Sequence, residues 1–394
     1  MLCGAQLAVL EGLRAGTTTF CDAGPPFLGW AETYAAAGAR ACLAVDVSAG
    51  GAGHSGGGGA HAGAADAAAE ADLRTAASFA AQYHGSSGGR IQCQLAPCAS
   101  ACTQAQLNVA ARAAKAYGGG LHVAVCAPDA EVNLRNDALH AQVARPVGAL
   151  DASGVLSPTL LAAHLTRCTV EEAATVAFKS GRMVICPTQA AIVDGNIGPV
   201  REFRAAGGAC GLGTGAASLG CGHNLWNEAR AVALAAKLDA RDGSEAPATD
   251  VLRMATVEGA RALGLADRVG MLDVGMQADF IVLRLDSPSL LLSRPLAHTM
   301  RSDEGVNGSR GNGEGRRSSE GDSLTPSAVI EREHARAALL ARAILWNAGA
   351  ESVSHVFVAG KVVKRCGSVL TMDERKVITE AQRQADRLQQ WQTV

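Results

Sequence analysis

The stretch "TLLAAHLTRCTVEEAATVAFKSG", residues 159–181, decides the fold. Its first part, 159–165, is a short apolar run without alternation, the pattern of a strand buried on both faces. The second part, "VEEAATVAFKSG", carries apolar residues at helical spacing. A buried strand feeding a helix is half of a βαβ unit, and the same alternation recurs on either side of it. Strands are read at "TTTFCD" (17–22), "ACLAVDV" (41–47), "IQCQLAP" (91–97), "LHVAVC" (121–126), "MVICP" (183–187) and "ACGLGT" (209–214). Helical stretches such as "LWNEARAVALAAKLDA" (225–240) separate them. Strand–helix alternation implies a parallel sheet and an α/β fold. Seven strands are counted over residues 1–270, where a closed (β/α) barrel has about eight. The eighth would precede Met1.

After residue 270 the texture changes. "GMLDVGMQADFIVLRLD" (270–286) and "VSHVFVAGKVVKRCGSVLT" (353–371) are β-rich with turn glycines, so 271–294 and 350–372 are expected to form a small partial β-sandwich. Between them, "RSDEGVNGSRGNGEGRRSSEGDS" (301–323) is polar and rich in Gly and Ser. Such a composition buries too little apolar surface to order itself, which predicts a disordered linker over 296–330. A helix is expected at about 332–348 and another over 373–394, closing the chain.

Composition removes several classes of function. A formal net charge of −2, with no basic cluster interleaved with aromatics, gives no electrostatic reason to expect nucleic acid or an anionic membrane as partner. No apolar run reaches the roughly 18 residues of a membrane span. The opening "MLCGAQLAVLEGLRAG" is an amphipathic helix with Leu2, Leu7, Leu10 and Leu13 at helical spacing, and lacks the charge-first layout of a secretory signal. The 12 cysteines form no CxxC pair, which fits reduced thiols in a cytoplasmic protein. His54 and His61 sit in the Gly-rich "SAGGAGHSGGGGAHAG" (48–63), where solvated loop histidines are the simpler reading than metal ligands. That loop has no Lys-Ser/Thr to make it a phosphate loop.

Six stretches, in this order, carry a resemblance. They are "EGLRAGTTTFCDAG" (11–24), "LLAAHLTRCTVEEAATVA" (160–177), "CPTQAAIVDGNIGPVREFRAAG" (186–207), "GLGTGAAS" (211–218), "MATVEGARALGLADRVGMLDVGMQADFIVL" (254–283) and "VFVAGKVV" (356–363). The chain resembles the amidohydrolase superfamily, in the branch holding S-adenosylhomocysteine and guanine deaminases and triazine hydrolases. The resemblance implies a (β/α)8 TIM barrel, here lacking its first strand, with a small β-sandwich. It also implies hydrolysis of a C–N bond, the deamination of a purine, pyrimidine or triazine-like ring, with one divalent metal, zinc or iron.

The chemistry behind such a site is general. A bound divalent metal lowers the pKa of water from about 15.7 to about 7, equivalent to about 12 kcal/mol. A catalytic metal of this kind needs about three protein ligands. The family supplies four positions for them: a His-x-His pair on the first strand, a His ending strand five and an Asp ending strand eight, with a Glu beyond strand five moving the proton. Here Ala124 stands where the resemblance places the metal His, Ala127 replaces the Glu, Gly215 the metal Asp, and Ala190 an expected Asn. Only His164 keeps a family position, that of a His that orients substrate or water.

The chain as written is therefore expected to be catalytically silent and to hold no metal. Two alternatives stay open: a fragment of an active enzyme with its N-terminus missing, and a non-catalytic subunit pairing with an active relative. A small heterocyclic ligand and a homo-oligomer, or a pairing with that relative, are the expected partners. Of the other polar residues, His122 is read as a buried, hydrogen-bonded core residue, and Asp22, Asp194 and Glu228 as turn or capping carboxylates. "CPTQ" reads as a plain turn after its strand. A re-invented soft metal site from Cys98, Cys126, Cys186 and His223, or a Cys126 nucleophile with His164 as base, are the remaining constellations.

Overall fold

The computed structural model describes residues 1–47, 62–97, 103–125, 146–216, 222–286, 288–291 and 326–392. Seven strands form one parallel sheet in strict chain order: β1 (Thr19–Gly24), β2 (Arg40–Asp46), β3 (Ile91–Ala96), β4 (Gly120–Val125), β5 (Leu160–His164), β6 (Arg182–Ile185) and β7 (Ala209–Leu212). Each strand in the sequence reading has its counterpart here. The apolar runs are explained by burial on both faces: Ala41, Leu43 and Val45 of β2 face the helices, while Cys42 and Ala44 face inward, and all five are buried. The helix Val170–Lys179 after β5 starts at Thr169, whose hydroxyl accepts from Glu172 N while the Glu172 carboxylate accepts from Thr169 N, a reciprocal cap.

Among the described residues the sheet curls without closing. Among the described residues no strand pairs with the outer edge of β1 or of β7. On the outside, helix Leu2–Ala15 and helix Leu225–Ala240 meet, and Trp226 Nε1 donates to Ala15 O at 2.9 Å. The face that the first helix buries is Val9, Leu10, Gly12 and Leu13, whereas Leu2 and Leu7 stay exposed. Gly12 lies so close to Phe20 of β1 that a Cβ would come within 2.4 Å of its ring. Two unpaired parallel edges are templates for further strand pairing. The purified chain is thus expected to associate with rising concentration, as read by sedimentation velocity; a monomer unchanged across the whole accessible range would contradict this.

A second sheet is antiparallel, with β8 (Phe280–Leu283), β9 (Val353–Val358), β10 (Lys361–Arg365) and β11 (Ser368–Val369) in the order β11-β10-β9-β8. It is joined to the barrel by a buried ion pair. Arg40, fully buried at the start of β2, donates from Nε to Asp279 Oδ2 at 2.8 Å, and from Nη2 to Asp279 Oδ1 at 3.0 Å and Gln277 Oε1 at 2.6 Å. Asp279 also accepts from Ala359 N, in the turn between β9 and β10, at 2.7 Å. Lys364 of β10 reaches back to the barrel side, donating to Arg14 O at 2.6 Å.

The helix Pro326–Asn347 corrects one boundary: residues 326–330, expected within the linker, are helical. Proline is well placed at the first turn of a helix, where its missing N–H costs nothing, and no breaker follows it. The remainder of the linker, 296–325, lies outside the described residues. The chain's last helix spans Glu374–Gln392. No helix among the described residues is long and apolar enough to cross a membrane.

Candidate functional site

The C-terminal ends of β4, β5 and β7 are where the barrel would present a site. On β4, His122 and Ala124 occupy alternate positions and so share one face, in register with Leu161 and Ala163 of β5. His122 is half-buried, and its Nδ1 lies 3.5 Å from Cys21 Sγ on β1. It is hydrogen-bonded, as the sequence suggests, though half-buried and not buried as expected, and its partner is a thiol across the barrel that local pattern could not reveal. Ala124 is exposed at the end of the strand.

His164 ends β5 with φ +77°, and Leu165 follows with φ +57°. Two consecutive non-glycine residues in the left-handed region store about 1–3 kcal/mol each and persist only where the surroundings enforce them. Here the enforcement comes from the next loop. Asp194 accepts from Thr166 Oγ1 at 2.9 Å and from Arg167 Nε at 3.0 Å, while Gly198 passes so close that a Cβ would meet Leu165 O at 2.7 Å. Asp194, the last residue of the helix Pro187–Asp194, thus anchors the loop after β5 and is neither the turn nor the capping carboxylate expected of it.

The Nδ1 atom of His164 is buried and has no hydrogen-bond partner among the described residues. Burial, with the His122 ring adding to it, pushes the imidazole down to about 4 from its ordinary 6.5. An imidazole whose folded value lies below its unfolded value adds stability above pH 6.5 and forfeits it as the pH falls to about 4. The forfeited amount is about 3 kcal/mol at most. We expect the His164 ring resonance to show a neutral imidazole down to pH 5, and the acid-side loss of urea stability to shrink in His164→Gln. A ring that titrates near 6.5 would refute this.

At β7, Gly215 has φ +70°, and a Cβ there would lie 1.9 Å from Gln189 Oε1. That same oxygen accepts from Ala216 N at 3.1 Å, so the Gln189 amide occupies the space beside this turn. Ala190 is fully buried in the helix Pro187–Asp194. That helix begins directly at the "CPTQ" turn, with Cys186 buried at its N-cap. Its Thr188 N–H donates to Glu228 at 2.9 Å, which makes Glu228 a capping carboxylate; burial pushes its carboxyl up. Asp22 needs correcting: it neither caps nor turns, but accepts from Trp30 Nε1 at 2.7 Å and Tyr34 Oη at 2.8 Å, on the helix-facing side of β1. A carboxylate satisfied by two aromatic donors is a packing device that spacing alone does not disclose.

His223 lies 3.4 Å from Thr214 Oγ1 through Nδ1. Ala127, Cys98, Cys126, His54 and His61 lie outside the described residues. Among the described residues no group of three or more His, Cys, Asp or Glu side chains is placed to hold a metal. The donor set around Ala124, His164 and Gly215 does not fit the family's metal. A methyl group and a glycine stand where the resemblance would place two of its ligands, and a Cβ on the glycine would lie 1.9 Å from Gln189 Oε1.

The amidohydrolase family model matches residues 4–363. The chain is 33% identical over 289 residues to a 5-methylthioadenosine/S-adenosylhomocysteine deaminase of Moorella thermoacetica, covering 73% of this chain and 63% of that protein. It is 29% identical over 388 residues to the protein of the same name from Pelotomaculum thermopropionicum, covering 98% of this chain and 75% of that one. A 5'-deoxyadenosine deaminase of Methanosarcina mazei is 27% identical over 98% of this chain and 75% of its own length. The chain thus spans between 63% and 75% of these relatives. Among solved structures, an adenosine deaminase from Xanthomonas campestris with bound zinc superimposes with a TM-score of 0.72 at 22% identity, covering 99% of this chain and 75% of its own. An atrazine chlorohydrolase from Arthrobacter aurescens complexed with zinc gives 0.70 at 21% identity, covering 96% and 75%. Sheet order, second sheet and family model agree: the chain belongs to the amidohydrolase family.

Proposed function

We propose that this amidohydrolase binds an adenosine-like heterocycle in its barrel without deaminating it by the family's metal-dependent route, and that it works in an assembly with a second copy or an active relative. The ligand class is supported by the relatives, which are named as deaminases of 5-methylthioadenosine, S-adenosylhomocysteine and 5'-deoxyadenosine. The observation that carries the loss of turnover is the pair Ala124 and Gly215, with Gln189 Oε1 1.9 Å from where a side chain at Gly215 would begin. Both positions are internal, so the argument is independent of what precedes Met1. His164 is the residue expected to meet the ligand, because its buried Nδ1 lacks a partner among the described residues.

Isothermal titration with 5-methylthioadenosine, paired with an ammonia assay on the same samples, tests this reading. Heat of binding without ammonia is expected, and His164→Ala should weaken binding about five- to tenfold, the worth of one neutral hydrogen bond. Ammonia release would overturn the proposal. Absence of binding would remove its ligand half.

Among the described residues the outer edges of β1 and β7 are unpaired, which favours a second reading, in which the chain is part of a longer enzyme whose further strand lies between them. The genomic frame upstream of Met1 tests it: a strand bearing His-x-His would support it. Ala124 and Gly215 would still leave that enzyme without two of its ligands.

A further inference from the structure

The barrel interior holds a second constellation that the family chemistry does not use. Cys21 on β1 and Cys42 on β2 are register partners on adjacent parallel strands, so their side chains leave the same face of the sheet side by side. Neighbouring strands lie about 4.8 Å apart. That spacing falls inside the Cα window of about 4.4–6.8 Å that a disulfide needs. Across the barrel, His122 Nδ1 stands 3.5 Å from Cys21 Sγ. Cys21 is half-buried and Cys42 buried. The geometry points to Cys21, Cys42 and His122 as a redox site, in which a hydroperoxide oxidises Cys21 and Cys42 closes a disulfide between β1 and β2.

The roles follow from placement. Cys21 is the thiol with the imidazole beside it and residual exposure, so it is the attacking group; Cys42, behind it, is the resolving one. Their electrostatics run the same way. The Cys42 thiol, by hydrogen bonding, and then the His122 ring hold Cys21 well below the usual thiol range, whereas Cys42 lies well above it because its proton serves Cys21. In the first step the Cys21 thiolate attacks the terminal hydroperoxide oxygen. The O–O bond breaks, Cys21 becomes a sulfenic acid, and the departing oxyanion, hydroxide when the oxidant is hydrogen peroxide, takes a proton to leave as the alcohol or as water. In the second, Cys42 sulfur attacks the Cys21 sulfur, the S–O bond breaks, and the Cys42 proton leaves with the oxygen as water. Two thiols are oxidised by two electrons and one peroxide is reduced.

Other thiols supply internal references. Cys93, on the helix-facing side of the sheet, is pushed up to about 12 by burial, and Cys366 is exposed. The full-length chain is treated with one equivalent of hydrogen peroxide, the remaining thiols are blocked, and tryptic peptides are mapped. Arg14, Arg40 and Arg74 place Cys21 in the peptide 15–40 and Cys42 in 41–74, so the disulfide appears as a linked pair that reduction separates.

That linked pair is the expected result, together with dimedone capture of Cys21 sulfenic acid in Cys42→Ser. Iodoacetamide at pH 7 should label Cys21 of the unmodified protein faster than Cys366, and His122→Gln should slow the Cys21 rate about tenfold. Oxidation that leaves 15–40 and 41–74 unlinked, or a Cys21 labelled no faster than Cys366, overturns the proposal. The labelling arm uses the natural chain and does not depend on a variant folding.

Discussion

Purified chain is expected to carry less than about a tenth of an equivalent of zinc or iron by plasma emission, and to release no measurable ammonia from adenosine-, guanine- or triazine-like substrates. The magnitude follows from the donors. If Ala124, His164 and Gly215 hold the positions that the resemblance implies, a methyl and a bare backbone leave one imidazole there, against the roughly three ligands such an ion needs. Losing metal-activated water raises the barrier by about 12 kcal/mol, which is beyond any assay. Restoring Ala124→His and Ala127→Glu should not rescue turnover. Adding Gly215→Asp meets two further obstacles, a backbone at φ +70° and the Gln189 amide in the way. Stoichiometric metal that disappears when Cys98, Cys126 or His223 is replaced would instead establish a re-invented soft site and defeat the prediction.

What the sequence disclosed and what it withheld divide along one physical line. Buried parallel strands announce themselves as apolar runs punctuated by turn glycines, which is why "LLAAH" and "ACLAVD" are legible and the order of the sheet follows. Ala124 and Gly215 draw attention for another reason: the resemblance implies a metal ligand at each, and that expectation rests on the resemblance alone. Partners far apart in the chain are not. The Cys21–His122 contact joins residues 101 positions apart, and Arg40–Asp279 spans 239. No periodicity encodes either. Gln189 is silent in the sequence for the opposite reason: it reads as an ordinary helix residue, and its amide matters only because Gly215 has no side chain to exclude it. Asp22 misled because carboxylates near turns usually cap, while here Trp30 and Tyr34 reach the acid from the following helix.

The Arg40–Asp279 pair carries the largest stability effect we expect. Both side chains are essentially dehydrated, with exposures of 0% and 1%. Taking one ion away leaves the other buried without compensation, at a cost of about 3–5 kcal/mol. Asp279→Ala should therefore lower the melting temperature by on the order of 10 °C and shift the urea midpoint accordingly. Arg40→Met should cost less, because the remaining carboxylate still accepts from Ala359 N. The double variant Arg40→Met/Asp279→Leu separates charge from packing. If the penalty of the single Asp279 change is the stranded guanidinium, removing the guanidinium as well should recover most of it. Arg40 Nη1 already lacks a partner among the described residues, so an apolar pair also relieves that cost. Equal losses in the single and double variants would mean that the second sheet is held to the barrel by its packing alone, with the pair contributing position and not energy.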